Sequence, residues 1–262
     1  MLFSSFSFLY FSASSLLVAS AFPTSEINDN DNAVQSELAV YHDDLTTIHN
    51  VLRRATDQII EHSRNFPPPE EIPNFMGFVS AYIYFLHSHH TNEDEIVFPR
   101  FEAQGYNMTG FEEDHKEFSE MLDSLSAMAT NFSTAATTSS VAFGKSDGND
   151  LADLVERMKS ALFPHLQREE DLSTANLLSA HNFTDDMIID LNKRILAKVQ
   201  TEDASLVLPI IFYHLTEEEM RSFGKRNFPW ILRRFIFPYF IARKHKGYWK
   251  YSLNISQRRK RR

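Results

Sequence analysis

His87-Ser88-His89-His90-Thr91-Asn92-Glu93-Asp94-Glu95-Ile96-Val97-Phe98-Pro99 and Phe163-Pro164-His165-Leu166-Gln167-Arg168-Glu169-Glu170-Asp171 share one feature. In each, a glutamate follows a histidine by four residues: Glu93 after His89, and Glu169 after His165. Residues four apart lie on one face of a helix. Each pair therefore offers an imidazole nitrogen and a carboxylate to the same point. Two such pairs from different helices, with single histidines from others, make a shell for two metal ions, which is how helical bundles build carboxylate-bridged dimetal sites.

The sequence around the two motifs reads as helix. Leu38, Val40, Leu45, Ile48, Leu52, Ile59 and Ile60 keep helical spacing across residues 33–65, and Phe66-Pro67-Pro68-Pro69 ends that run. A second helix spans 72–102, with Pro99 expected to kink or end it. A third covers 109–132. Residues 133–149, rich in Ser, Thr, Ala and Gly, read as a flexible connection. Asp150 can cap a fourth helix reaching residue 180, with Pro164 as an internal kink. The fold class is all-α: an up-down-up-down four-helix bundle over 33–180, followed by a helical C-terminal extension over 184–251. In that extension 184–200 reads as a fifth helix, and Thr216-Glu217-Glu218-Glu219 is a capping box that opens a sixth. Residues 252–262 form a basic tail expected to be disordered.

A net charge of −9 conceals a split. Residues 1–220 hold 12 Lys+Arg against all 35 Asp+Glu, whereas 221–262 hold 14 Lys+Arg and no acid. An acidic body suits hard or borderline cations; a basic, aromatic tail suits docking on that body or on an anionic surface. The chain has no cysteine, which excludes disulfides, thiolate ligands and cysteine nucleophiles. Residues 1–21 are apolar, serine-rich and uncharged, and end in Ala19-Ser20-Ala21, the pattern of a cleaved secretory signal; a membrane anchor is the alternative. Four Asn-x-Ser/Thr sequons, at Asn107, Asn131, Asn182 and Asn254, fit a secreted glycoprotein, three of them near expected helix ends or linkers.

Each bundle helix supplies a histidine: His49, His89 with Glu93, His115, and His165 with Glu169. Singly, such residues are ordinary surface or core histidines and solvated helix pairs; the argument rests on their joint occurrence. Imidazole and carboxylate without sulfur suit a non-haem iron or manganese pair, with zinc as an alternative. Asp94, Glu95 and Glu170 are placed to orient the imidazoles from behind. His87, two residues from His89, points elsewhere on its helix.

The run HHTNEDEIVFP resembles the signature of hemerythrin-like, or HHE cation-binding, domains, and PHLQREED resembles that family's fourth-helix motif. The resemblance covers roughly residues 40–178. It implies a four-helix bundle with an oxo- or hydroxo-bridged di-iron centre, often with reversible O2 chemistry, and His49, His89, Glu93, His115, His165 and Glu169 as metal ligands. The family's oxygen carriers have a further histidine one turn after the third-helix one; this chain has Ser119 there. That leaves one iron with fewer histidines, or completed by Glu112, His90 or water. An open position favours oxidation or turnover over clean reversible binding. The C-terminal extension resembles the tails of fungal members, which assigns no function.

Three readings follow: a di-iron protein that binds O2 or another small diatomic or peroxide ligand, or handles iron; a di-iron oxidase or peroxide- or NO-reactive enzyme; and a structural or interaction bundle with zinc or no metal. Trp230, Phe235, Phe237, Tyr239, Phe240, Tyr248 and Trp249 alternate with Arg and Lys in the tail. Packing on the bundle is the favoured reading of that segment, with weak membrane-surface contact as the rival. Nucleic acid is not an expected partner of a chain on a secretory route.

Overall fold

The computed structural model describes residues 35–138 and 144–253. The expected signal at 1–21, Asn254 and most of the basic tail lie outside the described residues. Among the described residues there is helix and no strand.

Helix α1 (Glu37–Arg64) starts where the Ser36 hydroxyl accepts the Ala39 N–H. Helix α2 (Ile72–Asn92) runs through a π-helical turn at Glu93–Val97 into α3 (Phe98–Glu102). Pro99 thus does not end the helix. Proline has no N–H to donate and its ring crowds the carbonyl four residues back; the wider π turn just before it, closed by Phe98 N–H on the Glu93 carbonyl, carries the chain past. Helix α4 (Thr109–Thr138) is longer than expected, and α5 (Lys145–Leu172) both begins and ends earlier than expected. Of the stretch 133–149 expected to be a flexible connection, 133–138 and 145–149 are helical, because an already nucleated helix extends at little cost. Helix α5 begins at Gly144, whose N–H is taken by the Asp147 carboxylate at 2.8 Å, rather than at Asp150. It stops at Ser173, so residues 175–180 form a separate short helix, α6 (Ala175–Ala180). Pro164 sits inside α5 without ending it.

Helix α1 packs on α2 and α5, and α4 packs on both α2 and α5, closing a four-helix bundle. Two apolar layers fill it. One holds Val51, Leu52, Phe78, Tyr82, Phe118, Leu125, Leu162 and their neighbours. The other holds Tyr41, Val97, Phe98, Phe101, Phe111 and Leu178. His49, His89, His90 and His115 fall along their helices between buried residues of the first layer and buried residues of the second.

After the bundle come α7 (Asp185–Val199), capped by Thr184, and α8 (Ala204–His214), which lies on α1 and α2. Helix α8 is apolar on almost all sides, so its sequence shows no helical stripe. The capping box at Thr216 forms as expected. A ten-residue π-helix (Leu232–Ile241) and a 3-10 turn (Tyr248–Tyr251) complete the described chain. The extension docks by packing: Phe237, Trp249 and Tyr251 are buried against the bundle core, and Gly77 on α2 leaves room for the Tyr248 ring, which a Cβ there would meet at 2.2 Å. Three tail cations also pair with the acidic body: Arg226 with Asp44, Lys244 with Asp203 and Lys250 with Glu71. No described helix is long and apolar enough to cross a membrane. Asn107, Asn131 and Asn182 are exposed, though Asn131 lies within α4 and not at a helix end.

His214 at the end of α8 is fully buried, stacked on Phe78, and donates Nδ1–H to the Ile210 carbonyl at 2.7 Å. Burial depresses its pKa from 6.5 to about 4. The unfolded chain takes up this proton near 6.5, the folded chain only near 4, so the unfolded state binds more protons in between. Stability from this group is complete above pH 6.5 and falls as pH drops through the window, by about 3 kcal/mol in all. Denaturant titrations at pH 7 and pH 4.5 should show a smaller acid loss for His214→Phe than for the parent; equal losses would refute the assignment.

Candidate metal centre

All six sequence-derived residues converge, joined by His90. The donor atoms form two groups, each spanning no more than 4.8 Å: His49, His89, Glu93 and Glu169 in one, His90, His115 and His165 in the other. The two carboxylates face both. Glu93 Oε1 lies 3.3 Å from His89 Nε2, while its Oε2 lies 3.8 Å from His115 Nε2. Glu169 Oε2 lies 3.5 Å from His49 Nε2, while its Oε1 lies 3.2 Å from His165 Nε2 and 3.9 Å from His115 Nε2. Each glutamate therefore directs one oxygen to each group, the disposition of a bridging ligand.

The other ring nitrogens explain the orientation. His49 Nδ1 meets Glu170 Oε1 at 2.9 Å, His115 Nδ1 meets Asp94 Oδ1 at 2.7 Å, and His165 Nδ1 meets Asp114 Oδ2 at 2.9 Å. A carboxylate accepts, so each Nδ1 carries the proton and each Nε2 turns a lone pair inward. Arg53 holds Glu170 and Arg168 holds Asp114 in turn. Burial tends to raise the Glu170 and Asp114 carboxyls, but these hydrogen bonds and cations prevail and hold both below the usual range. Glu95, expected among the orienting acids, instead reaches outward to Lys198 at 2.6 Å. It lies on the solvent side of the π turn, whereas Asp94 lies on the α4 side. Asp114, which lies outside the two His/Glu motifs, was not anticipated; its partner His165 is on α5.

With Nδ1 protonated on both rings, the facing Nε2 atoms of His115 and His165, 3.0 Å apart, are two acceptors pointed at each other. That arrangement calls for a positive charge between them. Two nitrogens bound at right angles to one ion, each at about 2.1 Å, are about 3 Å apart. The Nε2 atoms of His49, His89 and His90, Oε2 of Glu93 and both oxygens of Glu169 are buried and lack a hydrogen-bond partner. A buried polar atom without a partner costs about 1–3 kcal/mol. So many unpartnered donor atoms in one place fit a metal site.

The electrostatics agree. Burial lowers the His89 and His90 pKa well below the ordinary value, with neighbouring histidines adding to it. Burial, then the nearby Glu169 and Asp94 charges, push Glu93 well up. Burial opposes a proton on His165, yet the attraction of Glu169 and Asp114 outweighs it and raises that pKa. The shifts of Glu93 and His165 say that the buried carboxylates are short of positive charge.

His90 stacks on His115 with ring centroids 4.1 Å apart. A ring nitrogen of His90 lies within 4.8 Å of donor nitrogens of His115 and His165, whereas Glu112, also considered for the place left by Ser119, lines the pocket outside that group. That pocket, about 450 Å³, is bordered by His87, His90, Glu112, His115 and Ser119 and opens the three-histidine group to solvent. His87 is exposed and belongs to neither group, as expected.

A family model, the hemerythrin HHE cation binding domain, matches residues 35–175, more than half of the chain. No curated protein and no solved structure matches the chain.

Proposed function

The chain belongs to the hemerythrin HHE cation-binding family, and from that premise we propose that its centre is a non-haem di-iron site that binds or reacts with O2 or a related small ligand, or handles iron. The observation that supports this is the pair of glutamates, each directing one oxygen to each of two histidine groups. His49 and His89 would hold one iron; His90, His115 and His165 the other; Glu93 and Glu169 would bridge. Nitrogen and oxygen donors without sulfur suit iron, and manganese or zinc are the competing occupants. Iron when bound supplies one-electron chemistry and affinity for O2. The chain's own residues do the rest. Asp94, Glu170 and Asp114 fix the tautomers. The two apolar layers exclude bulk water from above and below. Tyr41 is buried beside Glu93 and Glu169, and burial with those charges keeps its phenol protonated, a hydrogen-bond donor next to the centre.

A second reading, a di-iron oxidase or peroxide- or NO-reactive enzyme, is favoured by the pocket at Ser119, which gives a small ligand a path to His90 and His115. The secretory route proposed from the first 21 residues is supported by the exposure of Asn107, Asn131 and Asn182.

Metal content per chain, by elemental analysis after anaerobic Fe(II) loading, tests the site. Two irons are expected. His90→Ala and His115→Ala are each expected to lose one and keep the other; a His90→Ala variant that still holds two would remove His90 from the ligand set. Zinc alone, or no metal, would refute the di-iron reading. Turnover of H2O2 or O2 by the loaded protein separates enzyme from carrier.

A further inference from the structure

The expectation that the basic aromatic tail packs on the bundle holds for three of the seven aromatic residues named above, Phe237, Tyr248 and Trp249. Leu232, Phe237 and Ala242 are buried against the bundle core. The opposite side is different. Trp230 (61% exposed), Ile231, Phe235, Tyr239 and Phe240 (55%) all stand in solvent. Among the described residues the only other large hydrophobic side chain so exposed is Leu177. Arg234, Arg243, Lys244 and Lys246 are exposed in the same stretch, with the Arg243 guanidinium 5.7 Å over the Tyr239 ring.

We propose that this face, Trp230 to Lys246, is a docking surface for an anionic phospholipid membrane. Contiguous exposed apolar surface marks an interaction site. The charge identifies the partner: residues 230–246 carry Arg233, Arg234, Arg243, Lys244 and Lys246 and no acid, so the face complements a negatively charged surface and repels a basic one. The arrangement is that of an interfacial helix. Aromatic rings suit the boundary between headgroups and acyl chains, and the long Arg and Lys side chains reach the phosphates beside them. The buried side of the same helix, held by Phe237 on Phe212 with ring centroids 4.3 Å apart, fixes it to the protein, so the bundle rides on the membrane surface rather than crossing it.

The chain has two tryptophans, and Trp249 is 1% exposed, so Trp230 reports on this face. The full chain is mixed with phosphatidylcholine vesicles with and without phosphatidylserine, reading flotation and tryptophan emission. Anionic vesicles should capture the protein and shift the emission to the blue; pure phosphatidylcholine should do neither. Raising salt to 1 M should release it, since screening then acts within about 3 Å. Phe235→Ser/Tyr239→Ser/Phe240→Ser should lower partitioning by more than about tenfold, and Trp230→Phe should abolish the blue shift while leaving capture. Undiminished capture of the triple variant would overturn the proposal and assign binding to the first 21 or last five residues. Lipid-independent association of copies that the triple variant abolishes would overturn it in favour of a second copy as occupant. No capture by anionic vesicles overturns it outright.

Discussion

Glu169→Ala is expected to reduce the metal content from two ions per chain to at most one. Of all the site residues, Glu169 touches most: Oε2 faces His49, and Oε1 faces His165 and His115. Removing it takes one oxygen from each group at once. Glu169→Gln should behave the same way, because it keeps the volume but replaces one oxygen with an amide nitrogen that does not ligate. Both variants should stay helical, since the bundle rests on its two apolar layers and not on the site. Without metal, Glu169→Ala should melt no lower than the parent without metal. It removes two buried, unpartnered carboxylate oxygens, whose desolvation works against folding. With metal added, only the parent should gain the large thermal shift that binding to the folded state confers. Elemental analysis and paired melting curves read both effects. Two ions retained by Glu169→Ala would remove the bridging role; a large loss of helix would show that the carboxylate serves the fold instead.

Trp249→Ala is expected to cost about 3–5 kcal/mol of stability, the range for deleting a large buried aromatic side chain. Trp249 is the largest fully buried side chain. It belongs to the 3-10 turn that closes on α1 and α2, near the rings of Tyr213 and Tyr248. Its loss opens a cavity between extension and bundle and lowers the melting temperature by on the order of 10 °C. Trp249→Phe should cost much less, because it refills most of the space and removes an indole N–H that has no partner. The metal content of both variants should match the parent, as the site lies at the level of His49 and His89, away from this turn. A fall in metal content with Trp249→Ala would mean that the extension helps to build the site.

The features legible in the sequence are those set by local geometry. The His89–Glu93 and His165–Glu169 pairs follow from helical periodicity, which also places His49 and His115 on inward faces. The caps at Thr184 and Thr216 form where side-chain oxygens precede free N–H groups. The features that were not legible are contacts between elements. Helix α8 has no polar face, so no stripe announces it. Asp114 meets His165 only because α4 packs on α5. His90 is a neighbour of His89 and so points about 100° away from it on an ideal helix. Both reach the centre because α2 packs against α1 on one side and α4 on the other, so its inward face is wide.

The sequence alone determined an all-helical chain, with imidazoles and carboxylates at inward positions on four long helices. Tertiary structure alone decided that these donors fall into two groups sharing two carboxylates, that His90 joins the group of His115 and His165, and that some of the tail's aromatic side chains are buried while Trp230, Phe235, Tyr239 and Phe240 face outward. The reason is one of length scale. Helical periodicity is a property of neighbouring residues, fixed by backbone geometry over about 5 Å of rise. Coordination, by contrast, depends on distances of about 2 Å between atoms on different helices, and those distances exist only once side-chain packing has fixed how far apart the helices lie.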